Sequence, residues 1–218
     1  MRHAVGRAGM TDAVHAELPT ESPKRAAVLA AAAEVFLEAG VEAASMDEIA
    51  RRAKVSKATV YSHFESKQAL LKAIVHERCK AMLPPLSSPE FGELPPEEAL
   101  FAVGRRFLDL MFSKLAMPLY RVVLAEVARS PELGRAFYEN GPGRMAQELA
   151  EYLRNQDGAG RLRVPEPRLT AEQFIGAVLC QSHLRQLLGV SAQAPGDAER
   201  DHQVRAAVRL ILAATAVP

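Results

Sequence analysis

Residues 45–67, SMDEIARRAKVSKATVYSHFESK, decide the fold, because two short helical patterns separated by a tight break read as a helix-turn-helix. Ser45, with Glu48 three residues later, fits a capping box: the hydroxyl accepts from an early backbone N–H and the carboxylate reaches back to the cap. Met46, Ile49, Ala50 and Ala53 then share one face, which leaves Glu48, Arg51 and Arg52 toward solvent. Lys54 and Val55 interrupt the pattern. Ser56 offers a second cap, and a helix over residues 57–64 follows in which Val60 and Phe64 face the same way.

The other side of that second helix carries Lys57, Ala58, Thr59, Tyr61, Ser62 and His63. Small side chains there allow close approach to a DNA groove, Lys57 reaches a base edge or a phosphate, and hydroxyl and imidazole donors hold phosphates on either side. Ser66 caps a longer helix with Lys67 in its first turn, so the helix dipole and Lys67 both suit a phosphate. Between residues 45 and 80, eight Lys/Arg stand against four Asp/Glu, in a chain whose net charge is only +1. The basic charge is therefore concentrated where a nucleic acid would lie.

The run IARRAKVSKATVYSHFESKQALL, preceded by a helix ending FLEAG, resembles the N-terminal domain of TetR-family regulators. The likeness covers about a quarter of the chain and rests on Phe36, Gly40, Ile49, Ala50, Val55, Ser56, Thr59, Tyr61, His63, Phe64, Ser66, Lys67 and Leu70 in preserved order and spacing. By that resemblance Lys57, Ala58 and Ser62 lie toward bases, while Ser45, Thr59, Tyr61, His63 and Lys67 hold phosphates. One position departs from the pattern. Lys54 stands where such turns commonly have glycine, and a left-handed backbone costs another residue about 1 kcal/mol or more. A strained turn, a different turn geometry and an added phosphate contact all remain open for it.

Composition permits a sizeable core, since 49% of the 218 residues are hydrophobic and 24% charged. No apolar run is long enough to span a membrane, and the first residues lack the apolar segment of a signal peptide, so a cytoplasmic protein without a membrane partner is expected. Cys79 and Cys180 are far apart, which argues against a disulfide framework or a paired-cysteine zinc site. Residues 1–21 show no steady period and read as a flexible tail. Ser22 and Pro23 look like a cap and first helical residue, with Lys24 and Arg25 in the first turn.

Beyond the helix led by Ser66, the run PPLSSPEFGELPP reads as a connecting loop. Helical periods then cover residues 97–113, 118–129, 131–140, 142–156, 170–189 and 197–216, with caps at Ser130 and at Thr170 paired with Gln173. The expected fold class is all-α: a three-helix DNA-binding domain over residues 22–67 and a larger helical ligand-binding and dimerisation domain over 68–218.

The middle helices supply candidates for a ligand cavity. They are Phe101, Leu108, Met111 and Phe112, then Met117, Tyr120 and Leu124, then Phe137 and Tyr138, then Met145, Leu149 and Tyr152, and finally Phe174 and His183. Rings and methionines make an adaptable apolar lining, with Tyr120, Tyr152 and His183 as polar contacts, although residues of this kind at helical spacing are more often ordinary core. The last two helices are unusually apolar. Ile175, Leu179 and Leu187 on one, and Val204, Val208, Ile211 and Leu212 on the other, predict a four-helix interface between two copies. A two-fold dimer places two recognition helices about 34 to 36 Å apart on one face of a palindromic operator. TetR-family proteins dimerise through their last two helices, so the resemblance implies the same here. The segment AEVARSPELGRAFYENGPGRMAQELAEYLR, with AEQFIGAVL and RQLLG after it, further resembles the C-terminal region of AefR-like members.

No phosphate loop, dinucleotide-binding glycine run or His-Glu-x-x-His metal motif occurs, so no enzyme, cofactor or metal site is expected. The reading that follows is a homodimeric DNA-binding repressor released from its operator by a small, largely apolar effector. An activator, a regulator answering another protein, and a helical small-molecule enzyme domain that keeps the motif as scaffold are the alternatives.

Overall fold

The computed structural model describes residues 22–82, 91, 93–191 and 193–217. The expected N-terminal tail and most of the expected loop after residue 83 lie outside them, as do the side chains of Cys79 and Met82. Everything regular among the described residues is helix, with no strand. The helices are α1 (Pro23–Ala43), α2 (Met46–Arg52), α3 (Lys57–His63), α4 (Lys67–Met82) and α5 (Pro96–Met111). They continue with α6 (Ala116–Glu126), α7 (Pro131–Asn140), α8 (Pro142–Gly158), α9 (Pro167–Leu187) and α10 (Asp197–Ala214).

Proline sets five of these starts, at Pro23, Pro96, Pro131, Pro142 and Pro167. Its fixed φ suits the first turn, and its missing N–H would have had no partner there. That preference explains a correction: Thr170 does not cap α9 but lies inside it, because Pro167 starts the helix three residues earlier. Three further caps differ from expectation, the first being Ser22, which stands at the N-cap of α1 without a side-chain hydrogen bond. Ser130 makes no side-chain bond to the backbone and gives its hydroxyl to Glu132 instead. The capping box at α2 is half formed: Ser45 Oγ accepts from Glu48 N–H at 3.1 Å, but the Glu48 carboxylate turns to Arg51 and Arg52. In the expected loop, Phe91 is helical and buried in the larger core.

Two apolar cores organise the described residues. The first gathers Phe36 of α1, Ile49 of α2, Val60 of α3 and Leu70, Leu71 and Ile74 of α4, and it also takes in Leu119, Val123 and Leu133 from α6 and α7. The second joins α5, α8, α9 and α10 through Leu100, Leu108, Met145, Leu149, Phe174, Val178 and Val204. Helix α5 lies closely on α9 and α10 because it has a glycine at the contact: a Cβ on Gly104 would meet Val204 Cγ1 at 2.8 Å and Phe174 at 3.2 Å.

Among the described residues, two that are not glycine hold positive φ. Cys180 (φ 46°, ψ −152°) interrupts α9. The carbonyls of Val178 and Leu179 beside this break are taken by the Gln203 side-chain amide of α10, at 3.1 Å for Leu179. Lys54 (φ 54°) follows α2, and Val55 N–H bonds back to Ala50 O at 3.1 Å in the manner of a Schellman ending. The strained-turn reading of Lys54 is thus the one adopted, with its side chain exposed. Lys54→Gly is expected to raise stability by about 1 kcal/mol and the midpoint of thermal unfolding by roughly 2–4 °C; an unchanged or lower midpoint would show that the turn carries no such strain.

Candidate nucleic-acid interface and the cavity behind it

Helices α2 and α3 are short, so their caps and their packing hold them more than propensity does. Ser56 Oγ accepts from Thr59 N–H at 3.1 Å and lies 2.8 Å from Thr59 Oγ1. Ser66 Oγ accepts from Ala69 N–H at 3.1 Å. With Val60 and Phe64 buried, α3 turns Lys57, Ala58, Tyr61, Ser62 and His63 outward and leaves Thr59 half-buried. Ser62 Oγ donates back to Thr59 O at 2.8 Å. Ser45, Lys57, Tyr61 and Lys67 line one hollow of about 420 Å³ between the start of α2 and the α3–α4 junction.

Three features of this face were not legible in the sequence. Lys57 Nζ lies 2.8 Å from Asp47 Oδ1, ten residues earlier, and donates to its Oδ2 at 3.1 Å, a hydrogen bond that raises the lysine pKa above its ordinary value. Lys67 Nζ donates to Glu42 O at 2.6 Å and Ala44 O at 2.9 Å, so it ties the end of α1 to α4 and keeps one N–H for another acceptor. Arg52 joins Glu38 of α1 at 2.6 Å and Glu48 at 2.7 Å, while Arg51 also binds Glu48 at 2.7 Å. Much of the local cationic excess is therefore paired within the chain.

The arginine hydrogen bonds hold the Glu48 carboxyl down at about 2, against the usual 4.5. A carboxyl lowered on folding stabilises the fold above its ordinary pKa and loses that contribution as pH falls through 4.5 toward 2. Glu48→Gln should therefore flatten the acid limb of thermal stability across that window; a limb as steep as in the unmodified protein would contradict this assignment.

Behind the first core lies a cavity of about 130 Å³, walled by α5 to α9 and by Val75 of α4. Of the residues proposed from sequence, Met111, Tyr120, Phe137, Met145 and His183 line it. Leu108, Phe112, Met117, Leu149, Tyr152 and Phe174 are instead buried in the larger core away from it. Burial pushes the Tyr152 hydroxyl up to about 12. Phe101 lies under the Arg205 guanidinium at 4.3 Å, and Leu124 and Tyr138 are exposed. The residues of the expected interface stripe divide, with Ile175, Leu179, Leu187 and Leu212 left partly exposed. Val204, Val208 and Ile211 are buried inside this one chain, Leu187 and Leu212 pack against the same core, and Ile175 and Leu179 line the cavity.

Helical period alone identifies an apolar face but not which neighbour covers it, which accounts for these exchanges. Sequence reasoning missed Val75, Asn140, Arg144 and Glu148 in the wall. Arg144 and Glu148 pair at 2.7 Å. Asn140 donates to Ala136 O at 2.7 Å, and its Oδ1 lies 2.9 Å from His76 Nδ1 of α4. Tyr120 and Phe137 stack at 5.2 Å with planes 10° apart, Tyr120 also meets the His183 ring at 5.5 Å, and burial lowers the His183 pKa.

Residues 28–74 match the sequence model of the tetR family of bacterial regulatory proteins, and residues 98–216 match that of the AefR-like transcriptional repressor C-terminal domain. The chain belongs to the TetR family of transcriptional regulators, which are DNA-binding proteins and not enzymes. A TetR-family transcriptional regulator from Mesorhizobium loti superposes with a TM-score of 0.80 at 27% identity, over 88% of this chain and 96% of that one. The flavonoid-responsive regulator FrrA superposes with a TM-score of 0.71 at 33% identity, over 88% and 96%. The HTH-type transcriptional activator FasR of Mycolicibacterium smegmatis is 52% identical over 52 residues, which are 24% of each chain. The chain thus spans only about a quarter of the length of that curated relative. Among the described residues, no helix is long and apolar enough to cross a membrane.

Proposed function

We propose that this regulator is a homodimeric repressor that holds a palindromic operator and releases it when a small, largely apolar molecule enters the cavity. In this reading residues 22–67 form the DNA-binding unit, residues 68–218 form the ligand-binding and dimerisation part, and the protein works in the cytoplasm. The observation that carries it is the double use of α4: Leu70 and Leu71 support the recognition helix in the first core, while Val75, one turn further, forms part of the cavity wall. A molecule in the cavity that fits one α4 position better than another shifts the population of DNA-competent dimers by that differential affinity. Repression is favoured by the AefR-like repressor match over the cavity-bearing half, since the likeness to the activator FasR is confined to 52 residues. A small-molecule effector is favoured by the likeness to FrrA, which is named as flavonoid-responsive.

On DNA, α3 enters the major groove with Lys57, Ala58 and Ser62 toward bases, while Ser45, Thr59, Tyr61, His63 and Lys67 hold phosphates and Ser56 caps the helix. Lys57 must exchange Asp47 for its DNA acceptor, so part of its binding energy offsets a broken ion pair. In a gel-shift series with genomic fragments, Tyr61→Phe and His63→Ala should weaken binding to every sequence alike, and Lys57→Ala should change base preference by about 1–3 kcal/mol at one position. Specific binding left intact by all three variants would sink this docking.

The dimer uses the outward faces of α9 and α10. They present Leu184, Leu188 and Leu210, with Leu188 and Leu210 each more than 60% exposed in the single chain, and Val217 follows α10. Exposed leucines of this kind need cover, and a second copy of the same pair of helices supplies it by two-fold symmetry. Leu188→Arg combined with Leu210→Arg should give a monomer in sedimentation that binds operator DNA weakly; a dimer that persists would place the interface elsewhere.

A further inference from the structure

We propose that the effector is an uncharged single-ring aromatic molecule carrying a hydroxyl group, with its ring against Tyr120 and Phe137 and its hydroxyl on Nε2 of His183. The proposal rests on the cavity being the effector site and adds the chemical class it takes. Size comes first. At about 130 Å³ the cavity is close to the roughly 150 Å³ that holds a benzene ring in an apolar protein interior. Shape follows from the walls, since the stacked pair Tyr120 and Phe137 already lines the cavity with two aromatic rings that a third can extend, while Met111 and Met145 adapt around a ring edge.

Polarity narrows the class further. Asn140 is engaged by Ala136 and His76, and Arg144 is paired with Glu148, so these polar groups of the wall are matched within the chain. His183 Nε2 is buried and has no hydrogen-bond partner among the described residues. An unpaired buried nitrogen costs free energy that a ligand's polar atom removes. Burial keeps the ring neutral at pH 7, because it moves the imidazole pKa below its ordinary value. A neutral imidazole nitrogen either donates or accepts, depending on tautomer, and a hydroxyl serves both cases where a carbonyl or an ether serves one. A carboxylate ligand finds no unmatched cation among these wall residues and would lose its hydration in an apolar cavity.

The test is calorimetric titration of the full chain with p-cresol, toluene, p-toluate and octanoate, which separate ring, hydroxyl, anion and acyl chain. The expected result is p-cresol binding about fivefold to tenfold tighter than toluene, as one hydrogen bond contributes, with no measurable binding of p-toluate or octanoate. His183→Phe should bring p-cresol and toluene to equal affinity, and His183→Gln, which keeps a donor and an acceptor, should restore part of the preference. Equal affinities in the unmodified chain, a preference that survives His183→Phe, or tighter binding of either anion overturns the proposal. Gel shift on the operator complex separates this from the release reading. If p-cresol binds in the expected pattern and the complex persists, the ligand class stands and release fails. Release by another molecule, with no p-cresol binding, overturns the class and leaves release standing.

Discussion

The shared packing of α1 and α4 with α6 and α7 is the constraint on which the rest depends. Leu119, Val123 and Leu133 belong to the cavity-bearing half by sequence position, yet they complete the apolar core under the DNA-binding helices. Without them α1 to α4 would expose part of their inner face, and a unit of that size buries little surface by itself. The ion pair of Arg129 with Glu42 at 3.1 Å spans the same junction but is exposed and contributes little. Side chains of α6 and α7 are therefore close-packed into the same core that holds α3 and α4.

At the DNA face, the same economy appears in the use of charge. Arg52 fixes α2 to α1 through Glu38, Arg51 and Arg52 both hold Glu48 within α2, Lys67 closes the end of α1, and Lys57 rests on Asp47. Exposed pairs of this kind stabilise modestly, but they pre-set the angle between α2 and α3 before DNA is met. Apart from Lys57 and His63, what remains unburied on α3 is small or hydroxylated, which suits close approach to a groove better than a row of free lysines.

The helix-turn-helix was legible because its signals are local. Ser45 and Ser56 cap as their spacing implies, and Val60 and Phe64 bury as their period implies. Even the departure at Lys54 was visible as a residue in a glycine position, although only the backbone showed that it holds φ 54°. The cavity was less legible. Met111, Tyr120, Phe137, Met145 and His183 reach it, but Leu149 and Phe174, of the same chemical kind and period, are plain core. The difference lies in which helix faces them across the core, and no residue carries that information alone.

By itself the sequence determined the all-α class and the capped recognition unit, because caps, prolines at helix starts and apolar period act within one or two turns of the chain; the family came from the resemblance carried by residues 45–71. Tertiary structure alone decided that Val204, Val208 and Ile211 are consumed inside the chain, leaving Leu188 and Leu210 outward, and that Val75 joins the recognition unit to a cavity. It also decided that Asp47 holds Lys57 and that the His183 nitrogen is left without a partner. These outcomes depend on contacts between segments far apart in the chain, where helix crossing geometry, rather than local preference, selects the neighbour.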